Sequence, residues 1–287
     1  MAKVKHYFSL IKFSHTIFAM PFAVAGYILG IIQPGKSFNF VLLLLVLACM
    51  VLARTAAMAF NRWADRDIDA LNPRTQMRDI PTGKIKASQA LTLAILSSLL
   101  FITCTFFINN ICFYLSPVAL IVVIGYSFAK RFTALSHFIL GTGLSLSPIG
   151  AFLAVTGYFS LIPILLSVMV ILWVSGFDII YAIQDEQFDK AQKLHSLPSR
   201  LGRKKSMFLA AFIHLGSIAT GVVIGFLSGY GLAYGIGLFF YSALMVFQHW
   251  VVNIKGEQSI APAFWGYNSW AGVLFCTGLI TEILLHF

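Results

Sequence analysis

Charged residues are scarce in this sequence. Asp, Glu, Lys and Arg make up 10% of its 287 residues, whereas a soluble domain carries about a quarter. Only ten residues are acidic, while 59% of the chain is hydrophobic. This composition excludes an ordinary soluble domain and indicates an integral membrane protein.

The alternation of polar and apolar residues that a membrane β-barrel needs is also absent. Instead, apolar runs close to the ~20 residues of a transmembrane helix recur along the chain. We therefore predict an all-α integral membrane bundle of nine transmembrane helices, which forms one domain over residues 1–287. The predicted spans are residues 10–32, 38–61, 88–108, 111–128, 135–156, 161–182, 207–228, 231–251 and 264–285.

The sequence also has few cysteines, and its basic residues do not form a soluble region. The four cysteines lie inside apolar runs without the paired spacing of metal ligands, so we predict that they are packing residues. The net charge is +10, but the basic residues lie in the joints between spans, which excludes a nucleic-acid-binding face. The first apolar run is too long for the apolar core of a cleaved signal peptide.

The distribution of Lys and Arg predicts the orientation in the membrane. These residues lie before the first span and after the even-numbered spans, whereas the alternate joints hold only Lys36. Because Lys and Arg prefer cytoplasmic loops, the N-terminus is predicted to be cytoplasmic.

Eight of the ten acidic residues fall in two short segments, residues 65–79 and 178–189. Asn61, Asp65 and Asp69 are spaced by four residues, so they share one face if the helix of span two continues through them. Tyr181, Asp185 and Asp189 repeat that spacing after span six. Two acidic faces are therefore predicted at the same membrane level.

Stacked carboxylates at a membrane boundary need a cation, because they repel one another and their burial costs several kcal/mol. Oxygen ligands without matching His or Cys favour Mg²⁺, which binds one or two carboxylates and takes substrate phosphates as further ligands. Cationic side chains that follow the acidic faces and span four are then predicted to hold a diphosphate. These residues are Arg74, Arg78, Lys130 and Arg131.

Two histidines have two interpretations each. His15 lies one turn after Lys12 on span one, where it either faces a polar substrate or is hydrogen-bonded within the protein. His137 on span five allows the same two interpretations.

With these motifs the chain resembles the UbiA superfamily of intramembrane aromatic prenyltransferases over nearly its whole length. The first family motif, Asn followed by Asp after four and eight residues, is similar to Asn61, Asp65 and Asp69. The family segment "RT..RPLPSG" resembles "RTQMRDIPTG", which begins at Arg74, and Asp79 stands where Pro is usual.

The second motif, "DTxYAxxDxxDD", is similar to Asp178, Tyr181, Ala182, Asp185 and Asp189. The family's "KRxT" matches Lys130, Arg131 and Thr133. Two further positions depart from the family pattern, because Arg62 replaces a common Asp and His195 replaces a common Lys.

The resemblance implies Mg²⁺-dependent transfer of a polyprenyl group from an allylic diphosphate to an aromatic acid. The implied Mg²⁺ ligands are Asn61, Asp65, Asp69, Asp185 and Asp189. Tyr126 or Tyr181 would stabilise the allylic cation. Asp178 belongs to the implied substrate site, and Lys12, His15 or His195 would pair with the acceptor carboxylate.

The amino-acid sequences of the motifs are most similar to those of a bacterial branch of 4-hydroxybenzoate polyprenyltransferases, some members of which use 1,4-dihydroxy-6-naphthoate. This implies a role in ubiquinone or menaquinone biosynthesis at the cytoplasmic side of a bacterial inner membrane, with no obligate protein partner. Alternatives are prenyl transfer to protohaem or a glycerolipid, and a membrane transporter, although the acidic residues lie at helix ends rather than along a transmembrane path.

Overall fold

The computed structural model describes residue 10 and residues 19–286 as a bundle of helices. The helices are α1 Met20–Ile31, α2 Phe40–Ala64, α3 Arg66–Leu71, α4 Ala87–Phe106, α5 Asn110–Phe132, α6 Ser136–Thr156, α7 Leu161–Ala182, α8 Glu186–Ala191, α9 Leu197–Ser228, α10 Leu232–Lys255, α11 Ile260–Ala263 and α12 Ser269–His286. Short 3₁₀ turns, Ile183–Asp185 and Glu257–Ser259, and a π-helical turn, Phe264–Asn268, interrupt them.

The predicted all-α membrane architecture is confirmed. Eight helical segments of the described chain are long and apolar enough to cross a membrane, and α1 is a shorter apolar helix of 12 residues. These segments correspond to the nine predicted spans, although residues 11–18 of the first span lie outside the described part of the chain.

The seventh span was predicted to begin at residue 207, and that boundary was wrong. The α9 helix begins at Leu197, because Ser196 and Ser199 form a reciprocal capping box and Pro198 occupies the first turn. Gly202, with a φ of 73°, interrupts the helix five residues later. This glycine therefore separates a short first segment of the helix from the apolar part of the span.

Polar side chains and glycines set the other helix ends. Asn39 and Asn109 accept hydrogen bonds from the backbone N–H groups of the first turns of α2 and α5, at 3.0 and 2.9 Å. Gly157 and Gly229 end α6 and α9 in the left-handed conformation.

The bundle packs around α7, the most buried of the membrane-length helices. The α7 helix lies between α6 and α9, and α1 packs against α6 and α12. Trp173 of α7 is fully buried against Phe22 and Tyr241. Small residues allow the closest approaches, since a side chain at Gly26 would clash with the backbone of Pro148.

One end of the bundle, which we call the acidic end, gathers both acidic segments. The C-terminal ends of α2, α5 and α7 meet there with the N-terminal ends of α4, α6 and α9. The expected continuous helix through Asn61, Asp65 and Asp69 is interrupted, because α2 ends at Ala64 and Asp65 has φ −95° and ψ 7°. A separate short helix, α3, then carries Asp69.

Candidate functional site

The first acidic segment forms one wall of the site. The amide of Asn61 donates to Asp65 Oδ2 at 2.8 Å, and the side chain of Asp67 is exposed. Arg131 Nη2 donates to the carbonyl oxygen of Ala64 at 2.5 Å and lies 3.4 Å from Asp65 Oδ1. Arg131, at the end of α5, therefore caps the C-terminus of α2 and places a cation beside the carboxylate of Asp65.

Asp69 is buried and is held by the loop that follows α3. Arg78 Nη1 donates to both carboxylate oxygens of Asp69, at 2.6 and 2.8 Å. Thr75 Oγ1 donates to the Asp69 carbonyl oxygen at 3.1 Å, which fixes the loop against the helix. The buried guanidinium of Arg62 lies 4.0 Å from Asp69.

The same loop reaches across to the second acidic segment. Arg74 donates through Nε to Asp185 Oδ1 at 2.9 Å and through Nη2 to Oδ2 at 2.5 Å. Asn72 adds a hydrogen bond to Asp185 Oδ1 at 3.0 Å. Arg74 also lies over the ring of Tyr181, 5.3 Å from its centroid, and donates to its hydroxyl oxygen.

Asp189 differs from the other carboxylates at the acidic end. It is 2% exposed, and its Oδ2 atom has no hydrogen-bond partner among the described residues. Lys130 Nζ lies 3.8 Å from that oxygen, too far for a direct hydrogen bond. A buried carboxylate oxygen without a donor is a candidate metal ligand.

Burial, and then the neighbouring Asp69 carboxylate, raise the pKa of Asp65 above its ordinary value. Burial alone would lower the pKa of Arg74, but the hydrogen bonds and charge of Asp185 reverse this effect and raise it. The site thus combines a carboxyl group that resists ionisation with an arginine that stays charged.

These side chains surround a polar cavity of about 260 Å³. Twelve predicted site residues line it together: Asn61, Asp65, Asp69, Arg74, Arg78, Tyr126, Lys130, Arg131, Asp178, Tyr181, Asp185 and Asp189. His195 does not line it; its side chain lies 3.3 Å from Arg200, and its backbone N–H donates to the carbonyl oxygen of Lys130. Lys12 and His15 lie outside the described residues.

A second, apolar cavity of about 390 Å³ adjoins the polar cavity inside the bundle. Arg54, Met58, Tyr126, Leu140 and Leu144 line both cavities. Along α5 the lining runs from Tyr126 to Cys112, a distance of about 21 Å at 1.5 Å per helical residue. The two cavities together accommodate a molecule with a polar head and a long apolar tail.

Arg54 lies where the two cavities meet, and the sequence reasoning did not select it. Its Nε atom is buried without a hydrogen-bond partner in the described part of the chain. The signal was present in the sequence, because an arginine inside a membrane-spanning helix is costly and usually functional. Arg54 lies on α2 seven residues before Asn61, outside the two acidic segments, so the spacing of the acidic residues did not point to it.

The sequence profile of the UbiA prenyltransferase family matches residues 19–274, which is most of the chain. The chain belongs to the UbiA prenyltransferase family. A 4-hydroxybenzoate octaprenyltransferase from Tolumonas auensis is 28% identical over 242 residues, 84% of each chain. Another from Alcanivorax borkumensis is 32% identical over 230 residues, 80% of this chain and 79% of the other.

Solved structures of UbiA homologues have the same fold. The apo structure of a homologue from Aeropyrum pernix K1 matches with a TM-score of 0.85 at 29% identity, covering 93% of this chain and 98% of that one. A homologue from Archaeoglobus fulgidus, solved with DMAPP and Mg²⁺, matches with a TM-score of 0.70 at 19% identity, over 96% of this chain and 99% of the other. The protein is therefore a multi-pass membrane prenyltransferase of the UbiA family.

The carboxylates of this UbiA family member do not form a closed metal cage. Among the described residues, no three Asp, Glu, His or Cys side chains are grouped so that they alone would hold an ion. Two of the carboxylates, Asp69 and Asp185, are occupied by arginines. Such a donor set fits Mg²⁺ that shares its ligands between one or two carboxylates and the phosphates of a substrate.

Proposed function

We propose that the protein transfers a polyprenyl group from an allylic diphosphate to an aromatic acid in a Mg²⁺-dependent reaction. The acceptor is 4-hydroxybenzoate or 1,4-dihydroxy-6-naphthoate, in ubiquinone or menaquinone biosynthesis. The observation that carries this proposal is the continuity between the charged polar cavity and the long apolar cavity. A prenyl diphosphate has the same division into a charged head and an apolar tail.

The diphosphate binds at the acidic end. Asn61, Asp65, Asp69, Asp185 and Asp189 supply oxygen ligands for Mg²⁺ there. The Oδ2 atom of Asp189, which has no hydrogen-bond partner within the described chain, supports this assignment. Arg74 and Arg78 move from Asp185 and Asp69 to the phosphate oxygens, while Lys130 and Arg131 add positive charge from α5. An arginine fork fits a phosphate as well as it fits a carboxylate.

Departure of the diphosphate breaks the allylic C–O bond. Bound Mg²⁺ neutralises charge on the leaving group, and the four basic residues stabilise the same charge through hydrogen bonds. Tyr126 and Tyr181 present aromatic rings near the breaking bond, where they stabilise positive charge on the allylic carbon. The apolar lining beyond Tyr126 excludes water, which would otherwise trap the cation as an alcohol.

The aromatic acid binds near the junction of the two cavities. The relatives from Tolumonas auensis and Alcanivorax borkumensis are named for 4-hydroxybenzoate. Arg54, whose buried Nε atom has no hydrogen-bond partner among the described residues, lines the polar cavity together with Tyr126 and is suited to bind such a carboxylate. We therefore assign the acceptor carboxylate to Arg54, in place of His195. This leaves the activated ring to attack the allylic carbon.

The acidic end faces the cytoplasm of a bacterial inner membrane in this proposal. Most Lys and Arg residues of the chain lie in the joints at that end, while Lys36 lies at the other. The positive-inside rule favours that orientation.

The test is the mass of the product formed by purified protein with a long allylic diphosphate and Mg²⁺. Parallel reactions contain 4-hydroxybenzoate or 1,4-dihydroxy-6-naphthoate. We expect a prenylated product from one of them, and a chelator should abolish it. Absence of product with both acceptors would contradict the proposal and direct the next assays to protohaem and glycerolipid acceptors, and then to transport.

A further inference from the structure

A buried histidine holds one carboxylate of the polar cavity. His137, in the first turn of α6, is 0% exposed, and its Nδ1 atom lies 2.6 Å from Oδ2 of Asp178 on α7. Its other ring nitrogen, Nε2, lies 3.3 Å from the backbone nitrogen of Leu197, the first residue of α9. The imidazole therefore bridges three helices.

The backbone contact fixes which ring nitrogen carries the proton. The N–H of Leu197 can only donate, so Nε2 of His137 must be the unprotonated acceptor. The proton of the neutral ring is then on Nδ1, which donates to Asp178. His137 thus offers a hydrogen bond from a neutral ring to this carboxylate.

Asp178 lies deeper in the bundle than the other acidic residues of the polar cavity. It precedes Asp185 by seven residues, about 10 Å along a helix, and its side chain is 22% exposed and lines the cavity. Tyr126 and Arg54 line the same cavity. This location places Asp178 toward the acceptor rather than toward the diphosphate.

The partner of Asp178 also distinguishes it from the other carboxylates of the polar cavity. In the described part of the chain, those four carboxylates each have an arginine or lysine within 4.0 Å: Asp65 with Arg131, Asp69 with Arg78, Asp185 with Arg74 and Asp189 with Lys130. These four carboxylates are therefore held in contacts with cationic side chains. Among the described residues, Asp178 is instead paired with the imidazole of His137.

We propose that Asp178 is the base that accepts the hydroxyl proton of a hydroxyarene acceptor, and that His137 is the residue that positions it. The hydrogen bond from Nδ1 holds Oδ2, which leaves Oδ1 directed to the acceptor hydroxyl. The inference rests on the proposed function and adds the chemistry of activation to it. It also requires an acceptor that carries a hydroxyl group on the ring.

The proton balance closes without a further reactant. The hydroxyl proton passes to Asp178, and a ring carbon of the phenolate forms a C–C bond to the allylic carbon as the C–O bond to diphosphate breaks. The resulting dienone loses its ring proton to the departed diphosphate. The aromatic phenolate then takes its proton back from Asp178, which restores the carboxylate.

Two substitutions of His137 separate its two hydrogen bonds. In His137→Asn the side-chain amide nitrogen stands close to the position of Nδ1 and keeps a donor for Asp178. In His137→Gln the amide oxygen reaches the position of Nε2 and keeps the acceptor for Leu197, but the donor to Asp178 is lost. A merely structural role predicts similar damage in both variants, because each variant loses one of the two contacts that join α6 to a neighbouring helix.

The assay measures kcat and KM with a long allylic diphosphate, Mg²⁺ and 4-hydroxybenzoate. We expect kcat of His137→Gln to fall by about 100-fold, a typical loss for general-base catalysis, with the KM for the diphosphate unchanged. His137→Asn should recover at least about tenfold of that loss. Equal activity of His137→Gln and the unmodified protein, or equal damage in both variants, would overturn the proposal.

A more acidic acceptor provides a second readout. The phenol of 3-fluoro-4-hydroxybenzoate ionises more easily than that of 4-hydroxybenzoate. The activity of each variant, expressed as a fraction of the activity of the unmodified protein on the same acceptor, should therefore be higher with the fluorinated acceptor. Asp178→Asn, which keeps the contact with His137, should show the same gain and decides the test if the His137 variants do not fold. A loss that is identical for both acceptors would overturn the role of Asp178.

Failure of the proposed function gives a different result. If the unmodified protein prenylates neither 4-hydroxybenzoate nor 1,4-dihydroxy-6-naphthoate, both the function and this inference are overturned. If it uses only the naphthoate, the contrast between His137→Asn and His137→Gln decides the inference with that acceptor.

Discussion

Arg74 donates to both carboxylate oxygens of Asp185, a residue 111 positions later in the chain. The pair joins the loop after α3 to the end of α7, and Arg78 makes the equivalent two contacts with Asp69 on its own side. Each arginine therefore occupies a carboxylate that we assign to Mg²⁺. When the diphosphate binds, Arg74 and Arg78 must leave these carboxylates for the phosphate oxygens. Substitution of either arginine should therefore affect substrate binding, the first step of the reaction.

Arg74→Ala should raise the KM for the prenyl diphosphate by about 30-fold, because a hydrogen-bonded charge contributes about 2 kcal/mol. Arg74→Lys should recover little, since an ammonium group lacks the planar fork. Steady-state kinetics with varied diphosphate measures both. Arg66→Ala is the matched control, because Arg66 pairs with the exposed Asp67 at 3.6 Å and such pairs contribute little.

Asp189→Asn should raise the Mg²⁺ concentration for half-maximal activity by about tenfold or more, because the loss of a metal ligand is costlier than the loss of an outer contact. This expectation follows from the buried Oδ2 of Asp189, which has no hydrogen-bond donor in the part of the chain that the structure describes. Activity is titrated against free Mg²⁺. Asp67→Asn removes a charge from an exposed side chain, and an equal shift in that variant would indicate a general charge effect.

Asp65→Asn should stabilise the protein without Mg²⁺ and weaken its stabilisation by Mg²⁺. The raised pKa means that the folded state binds this proton more tightly than the unfolded chain. The contribution of Asp65 is thus fully present below the unfolded pKa and is lost as the pH rises through the folded pKa. At neutral pH the ionised group destabilises the metal-free fold, and Asn removes that cost.

Thermal unfolding in detergent at neutral pH, with and without Mg²⁺ and diphosphate, measures both effects of this substitution. Asp79→Asn, a change of the same charge outside the polar cavity, is the control. A lower melting temperature of Asp65→Asn without Mg²⁺ would contradict the expected sign.

Arg54→Leu should raise the KM for 4-hydroxybenzoate by about 30-fold, from the loss of a charge-assisted hydrogen bond. The KM for the prenyl diphosphate should stay the same. The neutral analogue 4-hydroxybenzyl alcohol, which lacks the carboxylate, supplies the control: its turnover should be equal in Arg54→Leu and the unmodified protein. A matching loss with the neutral analogue would remove Arg54 from carboxylate binding.

Gly150→Phe should shorten the prenyl chains that the enzyme accepts. Gly150 lines the apolar cavity, and a Cβ atom at this position would meet open space. It follows Leu144, which lines both cavities, by six residues or about 9 Å along α6. The phenylalanine ring should therefore exclude long tails by at least about tenfold in kcat/KM and spare short ones.

Competition between short and long allylic diphosphates measures this selectivity. Gly125→Phe is the matched control, because Gly125 is exposed, lines neither cavity and also has open space for a Cβ atom. Unchanged chain selectivity in Gly150→Phe would show that the tail follows another path.

The sequence by itself determined the helices and most of the candidate site. Long apolar runs fix membrane helices because lipid offers no partner for an open backbone. The spacing of Asn61, Asp65 and Asp69, and that of Tyr181, Asp185 and Asp189, identified two acidic segments that line one cavity. Local spacing is sufficient for such features because a helix repeats every 3.6 residues.

Only the tertiary structure decided which residues from different helices meet. It joined Arg74 to Asp185 and His137 to Asp178, and it placed Arg54 at the junction of the two cavities. It also ended α2 at Ala64, so that Asp69 lies on a separate helix. Helix spacing carries no information about these contacts, since they depend on how the helices pack and on which buried charges must find a partner.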